Sequence, residues 1–353
     1  MKILLLADGL ANARQWINGL EKYTDARVIT WNISNVSRSR RVFSWFRALF
    51  IIRKLVSDIN PDILIGYRLT SYGFLAAWSG RRPLVLAAEG VTDVWPLNHW
   101  TTPLKSALAK YAIRHADMIH AWGDHMTASM IEHGAKGQQL FVMPRGIDPT
   151  LFYFNPSEKK APEKNKTIYG CVSRSLFPEY GHLVILRALK KLVEEGYDMR
   201  IFFAGAGPEL KKLQTFTDEN NLDDKVMLLG FIPNNELPEY LRKSHFYLSM
   251  PETEGVSTSL LEAMGCGCYP VVTNLPANRG FIQNGENGNL VDIGDDDQLY
   301  KCIKNVINTS ELFDKALEYN RQFIAEEADI SRNMQCFVTE YARLINSENN
   351  VRN

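Results

Sequence analysis

The stretch of sequence that decides the fold is PETEGVSTSLLEAMGCGCYPVVT, residues 251–273. It follows a short apolar run, HFYLSM over 245–250, and it ends on a second run, YPVVT over 269–273. Both runs have the length and the aromatic or β-branched residues of buried strands. The polar residues between them lead into a short helical pattern, which two glycines end. The stretch therefore predicts a strand, a loop, a helix over 258–264 and a second strand.

Two carboxylates lie in this unit, Glu254 in the loop and Glu262 in the helix. Gly255 lets a ligand approach the main chain closely, because glycine has no side chain. The three residues whose amides lie near the helix N-terminus are Val256, Ser257 and Thr258. Such amides and the helix dipole favour a phosphate. A nucleotide sugar fits this arrangement, with its diphosphate on the helix end, its ribose on Glu262 and its sugar on Glu254.

A second interpretation of Glu262 rests on the same residues. The spacing from Ser259 to Glu262 matches a capping box, in which the carboxylate only satisfies its own helix end. The helix pattern alone leaves both interpretations open. They differ in what Glu262→Gln does, because a capping residue contributes to stability and not to activity.

The whole stretch resembles the glutamate-x7-glutamate signature of glycosyltransferase family 4, whose members are retaining enzymes of the GT-B architecture. The resemblance includes SLLEAMGCG over 259–267 and PVVT over 270–273, and it extends strongly over 168–293 and loosely over 1–115. It implies a transferase that takes a UDP- or GDP-linked sugar as substrate. It also implies that Glu254 is a catalytic residue and that the reaction uses no metal ion and no cofactor.

Strand patterns alternate with helical patterns through both halves of the chain. The predicted strands lie at 3–7, 27–31, 62–66, 84–88, 118–121, 140–143, 168–173, 199–204, 226–229, 246–249, 269–272 and 289–292. Such alternation predicts an α/β protein with doubly wound parallel sheets. With the resemblance, we expect the GT-B fold, two Rossmann-like domains facing a cleft.

We expect an acceptor-side domain over 1–154 and a nucleotide-sugar-binding domain over 167–329. The segment between them, 155–166, is polar, contains proline and is rich in lysine, which is typical of a linker. The resemblance implies that a C-terminal helix in 330–353 packs back on the first domain.

Ligands of doubly wound sheets bind at the carboxyl ends of the strands. Gly9 follows the first strand, so it either allows close approach of a phosphate or forms a plain tight turn. Glu89 follows the strand at 84–88, where many members of the family have a histidine that touches the transferred sugar. This departure leaves three roles open for Glu89 as a candidate catalytic residue: it binds a sugar hydroxyl, accepts a proton or closes a loop.

Arg174 ends the strand at 168–173, and a guanidinium suits the charge of a leaving diphosphate. We therefore expect it to act in both binding and catalysis. The family pairs this arginine with a lysine six residues later, but the chain has Tyr180 there. Either Tyr180 donates its hydroxyl to the donor or another residue supplies the charge. The resemblance also places Phe231 and Ile232 against the base of the donor.

Two other motifs argue against other kinds of site. GAGPE over 205–209 half-matches the dinucleotide fingerprint, but Leu210 stands at the third glycine position, so no nicotinamide site is expected. DDD over 295–297 contains the D-x-D pattern of another transferase fold, far from Glu254 in sequence, and we expect no metal there. The five cysteines lack metal-ligand spacing and fit free thiols in a reducing compartment.

Residues 38–59 form an amphipathic helical pattern. Arg40, Arg47 and Lys54 recur every seven residues, and the apolar side is formed by Val42, Trp45, Phe46, Leu49, Ile52, Val56 and Ile59. Most helices of this kind bury their apolar side in a domain core. The clustered basic residues and the extra aromatics also fit a helix on an anionic membrane, where a lipid-linked acceptor would lie.

Composition narrows the class of protein further. The formal net charge is zero, with 45% apolar and 23% charged residues, which is typical of a soluble globular protein. The first half is basic, yet the chain contains no recognisable nucleic-acid-binding module. Met1 leads directly into the first predicted strand, and no apolar run is long enough to span a bilayer. We expect a cytoplasmic protein, peripheral on the inner face of the cytoplasmic membrane if the 38–59 helix docks there.

The leading hypothesis is a retaining, metal-independent hexosyltransferase that acts in the biosynthesis of cell-surface polysaccharide or glycoconjugate. It moves a sugar from a nucleotide sugar to a glycan or lipid-linked acceptor. Two alternatives stay open: a sugar-nucleotide epimerase or phosphorylase of the same fold, and a catalytically silent partner that binds a nucleotide sugar. The departures at Glu89 and Tyr180 keep the silent partner open.

Overall fold

The structure is a computed structural model that describes residues 1–7, 10–33, 38–88 and 102–352, with the backbone alone at 10–12, 38–43 and 351–352. The chain divides into two compact units. The first unit consists of Met1–Arg145 and Ile330–Asn353, and the second of Gly146–Asp329.

The first unit is built on a six-stranded parallel sheet. Its strands are β1 Lys2–Leu6, β2 Arg27–Trp31, β3 Ile63–Tyr67, β4 Leu84–Ala87, β5 Met118–Ala121 and β6 Leu140–Val142. They pair in the order β2-β1-β3-β4-β5-β6. The α-helices of its described residues are α1 Leu10–Tyr23, α2 Arg38–Ile59, α3 Gly73–Ser79, α4 Thr102–His115, α5 Thr127–Glu132 and, at the C-terminus, α13 Ile330–Arg352. The central strands are apolar throughout, since helices cover both faces of a doubly wound sheet.

The second unit repeats this plan. Its strands are β7 Ile168–Ser173, β8 Met199–Ala204, β9 Val226–Gly230, β10 Phe246–Ser249, β11 Tyr269–Thr273 and β12 Asn289–Val291. They pair, again all parallel, in the order β12-β11-β10-β7-β8-β9. Its helices are α6 His182–Glu194, α7 Leu210–Glu219, α8 Leu237–Lys243, α9 Thr258–Gly265, α10 Pro276–Arg279, α11 Asp296–Asn308 and α12 Ser310–Glu327.

The predicted α/β architecture with doubly wound parallel sheets is confirmed in both units. Each sheet has one point at which the strand order reverses, between β1 and β3 in the first unit and between β7 and β10 in the second. At such a point the loops after the two strands leave in opposite directions and open a crevice. The fold therefore predicts a ligand site in the second unit at the carboxyl ends of β7 and β10.

The boundary between the units differs from the sequence expectation. We expected a first domain to 154 and a linker over 155–166, but the division falls after Arg145, and 155–166 belongs to the second unit. Lys159 anchors the segment, because its ammonium donates to the carbonyl oxygen of Arg242 at 2.8 Å, at the end of α8. A lysine at a helix C-terminus satisfies otherwise unpaired carbonyls. The polar composition therefore marks a segment on the surface of the second unit.

The C-terminal helix α13 belongs to the first unit and packs on α1. A Cβ added to Gly19 of α1 would lie 3.1 Å from Ile330 and 3.2 Å from Met334, so the two helices approach closely there. The Trp16 and Phe337 rings meet edge to face, with their centres 6.2 Å apart. These contacts hold the last helix of the chain against the first.

Helix α2 covers the residues that the amphipathic pattern predicts, but one aromatic residue of the predicted apolar side is exposed to solvent. The buried side consists of Ala48, Ile52 and Val56, a narrow stripe at i, i+4 and i+8. Phe46, which we expected on the buried side, is 62% exposed, and Phe50 is 81% exposed. The stripe is too narrow to reach Phe46, so both rings face outward. Within the described ranges, no helix has the length and hydropathy required to cross a membrane.

Candidate active site

The site lies where β7 and β10 run side by side in the second unit. Their parallel pairing, with Phe246 opposite Gly170, brings the carboxyl ends of both strands to one edge of the sheet. Arg174 directly follows β7, and Glu254 lies in the loop that follows β10. Two residues that are 80 positions apart in the sequence therefore meet at the point where the strand order reverses.

Arg174 and Glu254 form an ion pair. A terminal nitrogen of the guanidinium donates to Oε2 of the carboxylate, and only 15% and 8% of the two side chains are exposed. The other carboxylate oxygen accepts from the amide of Gly255 at 3.1 Å. Burial raises the pKa of Glu254, and the charge of Arg174 opposes that shift. Charge pairing and hydrogen bonds of this kind are what allow a buried carboxylate to remain ionised.

The glycine-rich turn after β8 fixes the main chain at Arg174. A Cβ added to Gly205 would lie 1.8 Å from the carbonyl oxygen of Arg174, and one at Gly207 would lie 2.3 Å from that of Leu176. Only glycine allows this close approach of two backbones. The amide of Leu176 donates to the carbonyl of Ala206 at 3.0 Å, which joins the two turns. The half-matched dinucleotide motif therefore packs against the loop that carries Arg174.

The start of helix α9 tests the capping-box interpretation of Glu262. The N-cap is Ser257, whose hydroxyl accepts from the amide of Leu260 at 3.3 Å. The helix end is thus capped two residues before Ser259, and the interpretation of Ser259 and Glu262 as a capping box is wrong. The phosphate role of Gly255, Val256 and the first turn stays a prediction.

Glu262 is buried, with 6% of its surface exposed. Burial raises the pKa of its carboxyl to about 8, and a hydrogen bond from the Asn234 side chain opposes the shift. The carboxyl is therefore largely protonated at neutral pH in this structure. It has the capacity to exchange hydrogen bonds with a hydroxyl of a ligand, and its predicted ribose contact stays a prediction.

Two residues near this site were missed by the sequence analysis. Asn234 stands in the polar turn after β9, and nothing in that turn distinguishes it from Asn235. Tyr247 lies within β10 and is fully buried, and burial raises the pKa of its phenol to about 12, while the charge of Arg174 opposes the shift. In sequence Tyr247 is indistinguishable from the other apolar residues of its strand, so only the packing identifies it as a neighbour of the site.

Among the remaining predicted residues, the structure describes Phe231, Ile232 and Tyr180 but not Gly9 and Glu89. Phe231 is 78% exposed and Ile232 is partly buried against the core, and the contact of both residues with a base stays a prediction. Tyr180 lies over the guanidinium of Arg174, with 4.5 Å between the guanidinium carbon and the ring centre. Gly9 and Glu89 lie outside the described residues, and their roles stay predictions.

The aspartates of the D-x-D pattern cap helix α11 and form ion pairs on the surface beside it. Asp295 caps the helix by accepting from the amide of Gln298 at 2.8 Å. Asp296 pairs with Arg187 at 2.8 Å and with Lys191 at 2.6 Å. These carboxylates are engaged with cations of helix α6 and contribute nothing to the pair of Arg174 and Glu254.

Family models match most of the chain. The family described as Glycosyl transferases group 1 matches residues 154–323, and the one described as Glycosyl transferase 4-like domain matches residues 5–146. The first match contains Arg174, Glu254 and Glu262. The second covers most of the first unit.

Curated relatives are similar over part of their length. The 2-deoxystreptamine glucosyltransferase of Streptomyces kanamyceticus is 24% identical over 255 residues, which are 70% of this chain and 65% of that protein. The UDP-Gal:alpha-D-GlcNAc-diphosphoundecaprenol alpha-1,3-galactosyltransferase of Escherichia coli is 25% identical over 185 residues, 49% of this chain and 46% of that protein. The chain thus spans less than two thirds of the length of these relatives.

Solved structures match the whole fold. The crystal structure of Anabaena HepE in complex with UDP and glucose has a TM-score of 0.77 at 18% identity, over 98% of this chain and 100% of that chain. This likeness extends over both doubly wound domains. The GT-B architecture expected from the sequence is confirmed.

Proposed function

Because the chain belongs to the family of Glycosyl transferases group 1, we propose that it moves a hexose from a nucleotide sugar to a glycan or lipid-linked acceptor. The transfer retains the anomeric configuration and needs no metal ion. The observation that carries the proposal is the ion pair of Arg174 and Glu254 at the carboxyl ends of β7 and β10. In this proposal, Arg174 is the cation that binds the leaving diphosphate, and Glu254 is the carboxylate that binds the sugar.

The proposed reaction exchanges one bond at the anomeric carbon for another on the same face. The bond from this carbon to the phosphate oxygen breaks, and a bond to the acceptor oxygen forms. The proton of the acceptor hydroxyl passes to the leaving phosphate oxygen, so the protein need not supply a base. Arg174 and the amides at the start of α9 stabilise the negative charge that develops on the diphosphate.

The donor lies along the second unit in this proposal. Its base stacks on Phe231, its ribose binds Glu262, and its sugar hydroxyls bind Glu254. HepE is bound to UDP and glucose in its crystal structure, which supports a UDP-linked sugar as the donor, and a GDP-linked sugar is the alternative. No further cofactor is proposed.

In this proposal, the acceptor binds to the first unit. The name of the Escherichia coli relative specifies a sugar linked to diphosphoundecaprenol, which supports a lipid-linked acceptor and a role in cell-surface polysaccharide or glycoconjugate biosynthesis. The outward rings of Phe46 and Phe50 beside the exposed Arg47 and Lys54 suit a protein that rests on the cytoplasmic face of an anionic membrane.

The test is turnover of a panel of UDP- and GDP-sugars, with and without acceptor, each measured both without and with EDTA. We expect transfer only with acceptor, and a product whose anomeric configuration, read by NMR, equals that of the donor. Glu254→Gln should lower the rate about a hundredfold or more, because a buried charged contact is lost. Glu252→Gln is the matched control, since this carboxylate lies two positions earlier and is exposed.

Other outcomes select the alternatives. An inverted product contradicts retention, and inhibition by EDTA contradicts a metal-free reaction. Epimerised donor identifies the epimerase, and release of a sugar phosphate from a glycan incubated with inorganic phosphate identifies the phosphorylase. Binding of a nucleotide sugar without turnover of any donor identifies a silent partner.

A further inference from the structure

The guanidinium of Arg174 is held from two directions. Glu254 accepts a hydrogen bond from one of its terminal nitrogens, and its central carbon lies over the ring of Tyr180, 4.5 Å from the ring centre. We infer that Tyr180 is a positioning residue, whose ring and not whose hydroxyl keeps Arg174 oriented for the diphosphate of the donor. The inference rests on the proposed function, because it concerns how Arg174 and the neighbouring ring bind the diphosphate of a nucleotide-sugar donor.

The loop that carries Tyr180 is fixed to the loop after β10. The amide of Glu252 donates to the carbonyl of Glu179 at 2.9 Å. Gly181 has a positive φ of 65°, and a Cβ at this position would lie 2.1 Å from the carbonyl oxygen of Met250. A side chain is excluded there both by backbone conformation and by space. The ring is therefore set in place by the same segment that leads to Glu254.

The loop is also closed on itself. Pro178 begins a single turn of 3-10 helix that ends at Tyr180, whose amide donates to the carbonyl of Phe177 at 3.1 Å. A ring nitrogen of His182 lies 3.0 Å from the carbonyl oxygen of Ser175, which joins the two ends of the loop. Tyr180 thus reaches Arg174 from a backbone that is already ordered.

The contact to Arg174 is made by the ring. Across the part of the chain that the structure describes, the Tyr180 hydroxyl makes no hydrogen bond. An aromatic face attracts a guanidinium through its quadrupole, and this attraction grows where water is excluded. A guanidinium that lies on a ring keeps its N–H groups at its edges, where a diphosphate binds in two contacts.

This arrangement changes how affinity for a diphosphate arises. A second cation at position 180 would add charge, whereas a ring reduces the orientational freedom that Arg174 loses when the ligand binds. Ordering a side chain before binding increases affinity without a new contact to the ligand. Removal of the ring should therefore weaken binding of a diphosphate and leave binding of the nucleoside unchanged.

The experiment is calorimetric titration of UDP and GDP, with uridine and guanosine as matched ligands without phosphate. The variants are Tyr180→Phe and Tyr180→Leu, and Phe177→Leu is the control for loss of an aromatic from the same loop. We expect Tyr180→Phe to bind the diphosphate within about twofold of wild type, and Tyr180→Leu to bind it about five- to thirtyfold more weakly. Nucleoside affinity and melting temperature should not change in either variant.

A double-mutant cycle tests whether Tyr180 acts through Arg174. In the background of Arg174→Ala, Tyr180→Leu should cause no further loss of diphosphate affinity. Losses that add independently overturn the inference, as does a Tyr180→Phe protein that binds as weakly as Tyr180→Leu, because the hydroxyl is then the ligand. Wild-type protein is titrated before any variant is made. If it binds neither UDP nor GDP, the proposed function is wrong as well as the inference.

Discussion

At the scale of single residues, the fold changes the charge of Glu262 by removing it from water. Its carboxyl has a pKa of about 8 in the folded chain against an ordinary value of 4.5, and Asn234 only partly offsets the burial. Between these two pH values the folded state binds more protons than the unfolded state. The contribution of Glu262 to stability is therefore complete below pH 4.5 and is lost as the pH rises through 8.

Glu262→Gln should remove this pH dependence, because an amide does not titrate. In wild type, this group lowers the free energy of unfolding by up to about 1.4 kcal/mol for each pH unit between 5 and 8. The variant should show a correspondingly smaller decline, measured by urea unfolding at pH 5, 6, 7 and 8. Donor turnover should fall as well if the carboxyl binds the ribose.

Glu252→Gln serves as the control for this measurement, because its carboxyl is exposed. It should unfold with the pH profile of wild type. A Glu262→Gln protein with an unchanged profile would show that the carboxyl is solvated in solution.

At the scale of elements, α2 combines two surfaces that serve different purposes. Ala48, Ile52 and Val56 attach it to the first unit, whereas Phe46 and Phe50 face outward. Arg53 is tied to α3, since its Nε donates to the carbonyl of Trp78 at 3.3 Å and its guanidinium lies over the indole ring. Among the outward basic residues, Arg47 and Lys54 are therefore the better probes of an anionic surface.

The double change of Arg47 and Lys54 to Gln should weaken binding to vesicles that contain anionic lipid. Each basic residue near such a surface contributes about 1 kcal/mol, so the loss is roughly thirtyfold. Phe50→Ser should weaken binding further by removing apolar area from the interface. Cosedimentation at low and high salt measures both effects, because salt screens only the charge contribution.

Exposed lysines of the second unit provide a control with the same change in net charge. Lys211 and Lys301, both changed to Gln, should leave vesicle binding as in wild type. Wild-type protein that ignores anionic vesicles at low salt would make α2 an ordinary solvated helix and would remove the membrane from the proposed function.

At the scale of the whole molecule, the two ends of the chain meet around one histidine of the first unit. His120 is fully buried, and its ring lies 4.3 Å from that of Trp122 and 4.4 Å from that of Phe337 on α13. Trp16 of α1 lies 5.8 Å away, ring centre to ring centre. Burial lowers the pKa of His120 to about 3, and the charge of Arg145 adds to this shift.

Acid should therefore destabilise the first unit. Between pH 3 and 6.5 the unfolded chain binds a proton that folded His120 does not, so stability that is complete above pH 6.5 is lost as the pH falls. His120→Phe should reduce this loss by up to about 1.4 kcal/mol for each pH unit. Urea unfolding followed by tryptophan fluorescence from pH 4.5 to 7 isolates the first unit, because all seven tryptophans precede residue 123.

His115→Phe is the control for this experiment, since its ring is exposed at the end of α4. It should keep the acid sensitivity of wild type. Equal slopes for His120→Phe and wild type would mean that water reaches His120 in solution.

The sequence by itself determined the strands, the doubly wound class and the candidate motif. Short apolar and aromatic runs such as YGCVS and FYLS predict buried strands by their composition alone, and these strands match β7 and β10. The seven residues between Glu254 and Glu262 similarly lie within one loop and one helix. Such features are local, because hydrophobic periodicity and helix ends depend on neighbours in the chain.

Only the tertiary structure decided which side chains meet. Arg174 contacts Glu254 because the strand order places β7 beside β10, and Tyr180 contacts Arg174 because the loop after β7 is fastened to the loop after β10. Phe46 faces outward because the buried stripe of α2 is narrower than its apolar side. These contacts depend on packing between segments that are distant in sequence, and no local pattern records such packing.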